Sequence, residues 1–362
     1  MKQKFYSQVN VERVFVFVAP SKTKRIADRA WEEDMRFGII GAGRIGRIHG
    51  ANVAARADCQ VRFVADADAA VAAALAQATG AEAASIDAII SSPDVDAVAI
   101  CAPTDMHSDL IESAARAGKA IFCEKPIDLD ADRIRRCLDV VASTGATLMV
   151  GFNRRFDPNF AALRARIASG AIGDLESVSI TSRDPGPPPI SYIARSGGLF
   201  RDMMIHDFDM ARFLLGEEPI AVSAMGSSLV DKAIGEAGDI DTAVVVMETK
   251  SGRLAQISNS RRATYGYDQR VEAHGSKGML RAGNIRETTV EFAGADGFLG
   301  DKVLNFFLER YAGAYRAELD AFVVAVKSGG KPQPSGEDGL KANLLADAAY
   351  LSWRTKQRVS LV

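Results

Sequence analysis

The sequence has little cysteine, little histidine and no long apolar run. Its four cysteines form no C-x-x-C pair, which argues against a zinc site or a disulfide framework and favours a reduced, cytoplasmic compartment. No apolar run approaches the roughly 18 residues that a transmembrane helix requires. The 44 basic and 46 acidic residues leave a net charge of −2, too little to hold nucleic acid or an anionic membrane. We therefore expect no metal, nucleic acid or membrane partner.

The chain has 362 residues, 48% of them hydrophobic, which is enough for about two globular domains. Its first 34 residues differ from the rest. The apolar stretch at residues 14–19 is too short for a secretory signal, and the acids around it are atypical of a mitochondrial presequence. At Met35 begins a sequence that is typical of the start of a nucleotide-binding domain, an apolar strand followed by a glycine motif. We interpret residues 1–34 as a non-native or disordered extension; the alternative is an extra strand or arm used in oligomer contacts.

The pattern of predicted strands and helices differs between two parts of the chain. Residues 35–155 alternate short apolar strands with helices, which predicts βαβ units and a parallel sheet, that is, an N-terminal Rossmann domain. Residues 156–362 contain longer strands separated by turn signals, such as Lys250-Ser-Gly252. They predict an α+β domain with a largely antiparallel open sheet, whose last helices can pack back on the first domain. The fold class is therefore α/β with two domains.

A glycine motif, Gly41-Ala-Gly-Arg-Ile-Gly46, lies between the first predicted strand and the first predicted helix. Gly41 permits a tight turn, Gly43 lets the backbone approach a pyrophosphate, and Gly46 lets helix and strand pack closely. Asp66 ends the second strand, where its carboxylate can bind the ribose hydroxyls and repel a 2′-phosphate. The motif predicts an NAD site. A glycine-rich turn without a nucleotide and an FAD site are the alternatives, although no long flavin-specific segment is evident.

The tripeptide Glu124-Lys125-Pro126 follows another strand of the predicted parallel sheet. Because the carboxyl ends of such strands line the ligand crevice, we expect Lys125 near the nicotinamide. Pro126 restricts the backbone and can be cis. The same tripeptide is also compatible with a plain surface turn.

Asp202 and His206 stand four residues apart in a stretch that predicts a helix over about 201–215. On one helix they share a face, so Asp202 can hold the imidazole in one tautomer and His206 can accept a hydroxyl proton. The alternative is an acidic first turn that only meets the helix dipole. The other three histidines are more simply explained by packing or capping.

The glycine motif, the Glu-Lys-Pro tripeptide and the Asp202/His206 pair together resemble the glucose–fructose oxidoreductase/inositol dehydrogenase (Gfo/Idh/MocA) family. The similarity runs from Met35 to the end of the chain. Residues 151–157, 198–210 and 260–270 are most similar to the inositol dehydrogenases of that family. The resemblance implies that residues 35–155 bind NAD, that residues 156–362 bind substrate, and that the open sheet of the second domain builds a homotetramer.

The resemblance also implies roles for single residues. His206 takes the hydroxyl proton, Asp202 orients His206, and Lys125 polarises the reacting oxygen. The positions that correspond to cofactor contacts are Gly41, Gly43, Arg44, Ile45, Gly46, Asp66, Thr104, Glu124 and Lys125. The positions that correspond to substrate contacts are Asn153, Arg154, Asp184 and Tyr265.

The reaction implied by the resemblance is the NAD-dependent oxidation of myo-inositol to 2-keto-myo-inositol in inositol catabolism. A scyllo-inositol dehydrogenase, or a dehydrogenase of another sugar or polyol, is the nearest alternative. A non-catalytic NAD-binding sensor is a third, because a fold alone does not imply catalysis. The intact set of Lys125, Asp202 and His206 favours an enzyme.

Overall fold

The computed structural model describes residues 34–361. The extension predicted for residues 1–34 therefore lies outside the described residues, except for Asp34. Among residues 34–361, no helix combines the length and the apolar character needed to cross a bilayer.

Six parallel strands form the first sheet, in the order β3-β2-β1-β4-β5-β6. They are β1 (Met35–Ile40), β2 (Cys59–Ala65), β3 (Glu82–Ala83), β4 (Ala97–Ile100), β5 (Ala120–Glu124) and β6 (Leu148–Gly151). Every residue of β4 and β6 is buried, as expected for strands covered on both faces. The strand order reverses between β1 and β4, which is the point at which doubly wound sheets bind ligands. The predicted Rossmann sheet is confirmed.

Five helices connect these strands: α1 (Arg44–Ala54), α2 (Ala69–Thr79), α3 (Ile86–Ser91), α4 (His107–Arg116) and α5 (Ala131–Thr144). Gly80 ends α2 in the left-handed conformation, which glycine adopts without strain. Strand β3 has only two residues, and α3 follows it closely. Ser85 starts α3 there, because its hydroxyl oxygen accepts the amide of Ala88 at 3.2 Å.

The second sheet has seven strands in the order β12-β11-β7-β10-β9-β8-β15. The remaining strands are β7 (Leu175–Arg183), β8 (Pro219–Ser227), β9 (Thr242–Thr249), β10 (Leu254–Ser260), β11 (Asp268–Gly275), β12 (Gly278–Ala282), β13 (Glu291–Gly294), β14 (Gly297–Gly300) and β15 (Val359–Ser360). Only β7 and β10 pair in parallel, so the largely antiparallel sheet is confirmed. The predicted turn at Lys250–Gly252 joins β9 to β10. Strands β13 and β14 form a separate hairpin.

The helices of this second region are α6 (Pro158–Ala168), α7 (Ile190–Ser196), α8 (Gly198–Asp202), α9 (Ile205–Leu215), α10 (Lys232–Glu236), α11 (Phe307–Arg310), α12 (Ala312–Ser328) and α13 (Gly336–Thr355). The single helix expected over about 201–215 is wrong, because α8 ends at Asp202 and α9 begins at Ile205. The carbonyl of Leu199 accepts the amides of Met203 at 3.1 Å and Met204 at 2.9 Å, which closes α8 after little more than one turn.

Helix α12 packs against the first sheet although it comes near the end of the chain. Phe322 meets Phe37 and Phe122 edge to face at 6.1 and 5.8 Å between ring centroids. Leu319 and Val323 are buried in the same apolar cluster. The two regions of the chain therefore share a core beside the glycine loop.

Candidate active site

The glycine loop has the backbone that its spacing predicts. Gly41 has a φ of +95°, and a Cβ there would lie 2.5 Å from the carbonyl carbon and oxygen of Cys101. A Cβ on Gly46 would lie 1.8 Å from the carbonyl oxygen of Gly41. A Cβ on Gly43 would meet no atom within 4 Å. Two glycines are thus required by close packing, and the third faces open space at the start of α1.

Asp66 lies beside this loop at the end of β2. Its Oδ2 accepts the amide of Ala42 at 2.7 Å, and its Oδ1 accepts the amide of Asp68 at 2.9 Å. No side chain caps α1 at Gly43, so the amides of its first turn are open to an anion. An open glycine, uncapped amides and a nearby carboxylate fit a dinucleotide.

Three other predicted cofactor residues lie around the loop. Arg44 stacks its guanidinium over Phe306 and Phe307, and the side chain of Ile45 packs against the core of the second region. Their side chains therefore have partners in the second region of the chain. Thr104 begins a short 3₁₀ helix after β4, next to the point where the strand order reverses.

Lys125 extends from the end of β5 toward the second region. The peptide bond to Pro126 is cis. The ring nitrogens of His107 lie 2.7 Å from the carbonyl oxygen of Pro126 and 2.8 Å from that of Ala102, so His107 ties this turn to the end of β4. The Nζ of Lys125 donates to the carbonyl oxygen of Asp202 at 2.9 Å and lies 3.8 Å from its Oδ1.

The carboxylate of Asp202 is directed to Lys125 and to two residues that the sequence analysis did not name. The hydroxyl of Tyr192 donates to Oδ1 at 2.9 Å, and Arg261 donates to Oδ2 at 3.4 Å. Because the helix breaks after Asp202, the expectation that Asp202 and His206 share one helical face is wrong. The Nδ1 of His206 is buried and has no hydrogen-bond partner within residues 34–361. Asp202 therefore contacts Lys125 and makes no hydrogen bond to the Nδ1 of His206.

His206 is half-buried, and two positive charges act on its imidazole. Burial lowers the pKa of His206 well below its usual range, and the positive charges of Lys125 and Arg154 lower it further. The ring meets Phe152 edge to face at 6.1 Å between centroids. The imidazole is consequently neutral at pH 7, which is the form that can accept a proton.

Arg154 and Asn153 lie in a 3₁₀ helix that follows β6, and both are buried. Arg154 forms a buried ion pair with Asp207, and its second nitrogen lies 3.4 Å from the hydroxyl of Ser182. Asn259 donates to the other oxygen of Asp207 at 2.9 Å. Arg154 is therefore anchored to α9, in the turn that follows His206.

Asp184 and Tyr265, the other two predicted substrate residues, have different surroundings. Burial raises the pKa of Asp184 to about 6, against the lowering effect of the nearby Arg261 and Arg154. The hydroxyl of Tyr265 donates to Asp268 at 2.6 Å and accepts from Arg183 at 2.8 Å. Asp184 thus belongs to the charged cluster of the site, whereas Tyr265 contacts a neighbouring pair on β7 and β11.

Glu124, expected to contact the cofactor, directs its carboxylate inward. Its Oε1 lies 2.8 Å from the Nε2 of His49 on α1. Its side chain is only 12% exposed.

Arg261 is the clearest functional candidate that the sequence analysis missed. It directly follows β10, and Asp184 directly follows β7. The parallel pairing places Ser260 beside Arg183, so both charged residues emerge at the same edge. A charged residue after each of two alternating strands was the available signal, but the parallel pairing that makes it meaningful cannot be read from the sequence.

The order of the strands, the glycine loop and the Lys125 turn agree with similarities along the whole described chain. Residues 35–152 match the oxidoreductase family with an NAD-binding Rossmann fold, and residues 160–281 match the Gfo/Idh/MocA C-terminal domain. The chain belongs to the Gfo/Idh/MocA oxidoreductase family. The predicted resemblance, fold class and enzyme class are thereby confirmed.

Three proteins that are similar to this chain over most of its length carry inositol dehydrogenase names. Inositol 2-dehydrogenase of Rhizobium meliloti (strain 1021) is 58% identical over 327 residues, which cover 90% of this chain and 99% of that protein. Myo-inositol 2-dehydrogenase of Thermotoga maritima is 48% identical over 329 residues, covering 90% and 98%. The structure of scyllo-inositol dehydrogenase from Lactobacillus casei with bound NAD(H) and scyllo-inositol matches with a TM-score of 0.85 at 30% identity, covering 91% of this chain and 99% of that one.

Proposed function

We propose that this chain is an NAD-dependent inositol 2-dehydrogenase that oxidises myo-inositol to 2-keto-myo-inositol in inositol catabolism. The observation that carries the proposal is that Lys125 contacts Asp202 and that its positive charge acts on the imidazole of His206, in a chain whose glycine loop and Asp66 fit a dinucleotide. Lys125 lies 2.9 Å from the Asp202 carbonyl, and the charge of Lys125 helps to keep His206 neutral. The names of the relatives at 58% and 48% identity support the same substrate.

The cofactor would lie on the first turn of α1. The amides of residues 43–46 would hold its pyrophosphate, Asp66 its adenosine ribose, and Thr104 would lie near the nicotinamide ribose. When bound, NAD supplies the acceptor of the hydride that leaves the ring carbon. The proposal favours NAD over NADP because the carboxylate of Asp66 would meet a 2′-phosphate with like charge.

The chain's own residues would handle the proton and the developing charge. His206 takes the proton of the reacting hydroxyl, since its imidazole is neutral at pH 7. Lys125 donates a hydrogen bond to the same oxygen and stabilises its negative charge. Asp202 fixes the ammonium of Lys125 and is itself held by Tyr192 and Arg261.

The remaining ring hydroxyls would meet the charged cluster around Arg154. Asp184 offers a carboxyl group whose pKa burial raises to about 6. Arg154 has fewer free donors than the sequence suggests, because Asp207 occupies one nitrogen. Asn153 and Tyr265 complete the proposed set, with Tyr265 reaching the substrate only if its hydroxyl exchanges its present partners, Asp268 and Arg183.

A panel of polyols assayed by NADH absorbance tests the proposal. We expect myo-inositol to give the highest kcat/KM, with deuterium at the carbon bearing the axial hydroxyl appearing in the reduced cofactor. A higher kcat/KM for scyllo-inositol would favour the second candidate, which the Lactobacillus casei structure with scyllo-inositol supports. NADH binding without turnover of any polyol would favour a sensor.

A homotetramer in the cytoplasm is part of the same proposal. The outer face of the second sheet exposes Met225, Val244 and Val246, by 78%, 48% and 44%. Such an apolar row on an open sheet fits a contact with a second copy. The four cysteines are free thiols, as expected in a reducing compartment. Replacing both Val244 and Val246 by Glu should halve or quarter the native mass measured by light scattering, and an unchanged mass would contradict this interface.

A further inference from the structure

A cluster of three ionisable side chains lies behind the Lys125 turn. It consists of His49 on α1, Glu124 at the end of β5 and Glu318 on α12; we call it the Glu124 triad. The Nε2 of His49 lies 2.8 Å from Glu124 and 4.0 Å from Glu318. The side chains of His49 and Glu318 are 0% exposed. Neither residue has a role in the proposed reaction.

The hydrogen bonding of this cluster is incomplete. Both carboxyl oxygens of Glu318 and the Nδ1 of His49 are buried with no hydrogen-bond partner within residues 34–361. An ionised carboxylate in that position would be strongly destabilising. Burial and the nearby Glu124 raise the pKa of Glu318 well above its usual range, which favours the protonated form of Glu318.

The packing leaves Glu124 little freedom. A Cβ on Gly151 of β6 would lie 3.1 Å from the carboxyl carbon of Glu124, so the absence of a side chain there makes room for that group. The ring of His49 is confined by Phe122 and Tyr315, at 4.7 and 5.8 Å between centroids. The carboxylate that precedes Lys125 is therefore fixed from two sides.

A divalent cation is the other chemistry that one imidazole and two carboxylates suggest, since their ligand atoms lie within 4.8 Å of one another. Two features argue against it. Metal-bound histidines donate their second ring nitrogen to a partner, and the Nδ1 of His49 has none within the described chain. The two closest atoms stand at hydrogen-bond distance, which suits a shared proton.

We propose that His49 is a positioning residue, which shares a proton with Glu124 and thereby fixes the backbone that presents Lys125 to Asp202, while Glu318 stays uncharged beside this pair. The inference rests on the proposed role of Lys125 in polarising the reacting oxygen. Lys125 is the next residue after Glu124, so a shift of the Glu124 carboxylate is passed directly to the Lys125 backbone. A misplacement of about 1 Å at a catalytic group can cost on the order of 10²-fold in rate.

Three other titratable groups face the triad: Cys101 after β4, Cys123 on β5 and Tyr315 on α12. Burial raises the pKa of each of them, so they remain neutral through the range in which the enzyme is assayed. The charge state of the triad is therefore set by His49, Glu124 and Glu318 alone among the described residues that face it.

Paired variants separate positioning from simple packing. His49→Leu removes the donor to Glu124 and should lower kcat roughly 10–100-fold, while the dissociation constant of NADH, measured by fluorescence, changes less than about threefold. His49→Gln keeps an N–H donor and should restore most of kcat. Glu318→Gln mimics a protonated acid and should keep kcat within about threefold. Asp320→Asn, on the same helix but in an exposed pair with Arg56, is the control and should leave kcat unchanged.

A carboxyl NMR experiment tests the triad without any substrate. With ¹³C-labelled glutamate, the signal that disappears in Glu318→Gln should be that of a protonated acid at pH 7. An ionised Glu318, or one divalent ion retained per chain after dialysis and lost in Glu318→Gln, would overturn the proton-sharing arrangement. An unchanged kcat in folded His49→Leu would overturn the positioning role. If no polyol is oxidised by the wild type, only the proposed function fails, because the NMR result stands on its own.

Discussion

The two sides of the active-site cleft are built by different means. On the proposed cofactor side, consecutive residues 41–46 form one loop, whose backbone amides would supply most of the binding surface. On the substrate side, charged side chains arrive from separate elements: Lys125 after β5, Arg154 after β6, and His206 and Asp207 on α9. The first surface depends on local backbone conformation, whereas the second depends on how distant elements pack.

The largest effect is expected when the proposed proton acceptor is removed from the substrate side. His206→Ala should lower kcat on the order of 10²–10⁴-fold, because a positioned acid or base contributes about that much. The dissociation constant of NADH should stay within about threefold, since the glycine loop is untouched. His274→Ala is the matched control, because its side chain is 57% exposed and pairs only with Glu176 among the described residues. Near-normal turnover in His206→Ala would make Lys125 the leading candidate for the base.

The next largest effect is expected on the free energy of unfolding, when a buried ion pair on the substrate side is broken. Asp207→Ala leaves the buried guanidinium of Arg154 without its partner, which typically costs about 3–5 kcal/mol of unfolding free energy. Urea unfolding measures the loss. The control is Glu82→Ala, which breaks the exposed pair with Arg62 and should cost no more than about 1 kcal/mol. Equal losses in the two variants would mean that the substrate side is not held by its buried charges.

A smaller effect is expected on the cofactor side. Asp66→Ser should weaken NAD binding roughly 10-fold and narrow the preference for NAD over NADP, since a hydrogen bond to a charged group contributes about 1.5–3 kcal/mol. The substitution also weakens the contact with the Ala42 amide. Asp68→Ser removes the same charge two residues away and keeps a side chain able to cap α2, so it serves as the control. Equal efficiency of the wild type with both cofactors would contradict the assigned role of Asp66.

The same contrast explains what could be predicted from the sequence. The glycine loop and the position of Asp66 at the end of β2 follow from local rules that act within a few residues, and the structure has both at the predicted places. The break after Asp202 could not be predicted, because Met203 and Met204 are good helix formers that tertiary packing holds out of the helix. Arg261 was missed because its meaning depends on the parallel pairing of β7 with β10. The conformation of the cofactor side is determined by residues close together in the sequence, whereas that of the substrate side is determined by how distant elements pack.

The smallest expected effect concerns the electrostatics that join the two sides. Burial is the main cause of the lowered pKa of His206, and the charge of Lys125 is the second. A group that is neutral at pH 7 and charges only in acid gives a turnover that rises with pH and levels off below pH 6.5, the ordinary value for histidine. In Lys125→Met the positive neighbour is lost, so the pKa of His206 should move upward, yet remain below 6.5 because the burial persists. An NMR titration of the imidazole signal that disappears in His206→Ala measures this in both proteins without requiring turnover. An unchanged pKa of His206 would mean that Lys125 and His206 do not act on one oxygen. A lower pKa of His206 in the variant would mean that the other cation, Arg154, has moved closer to the imidazole.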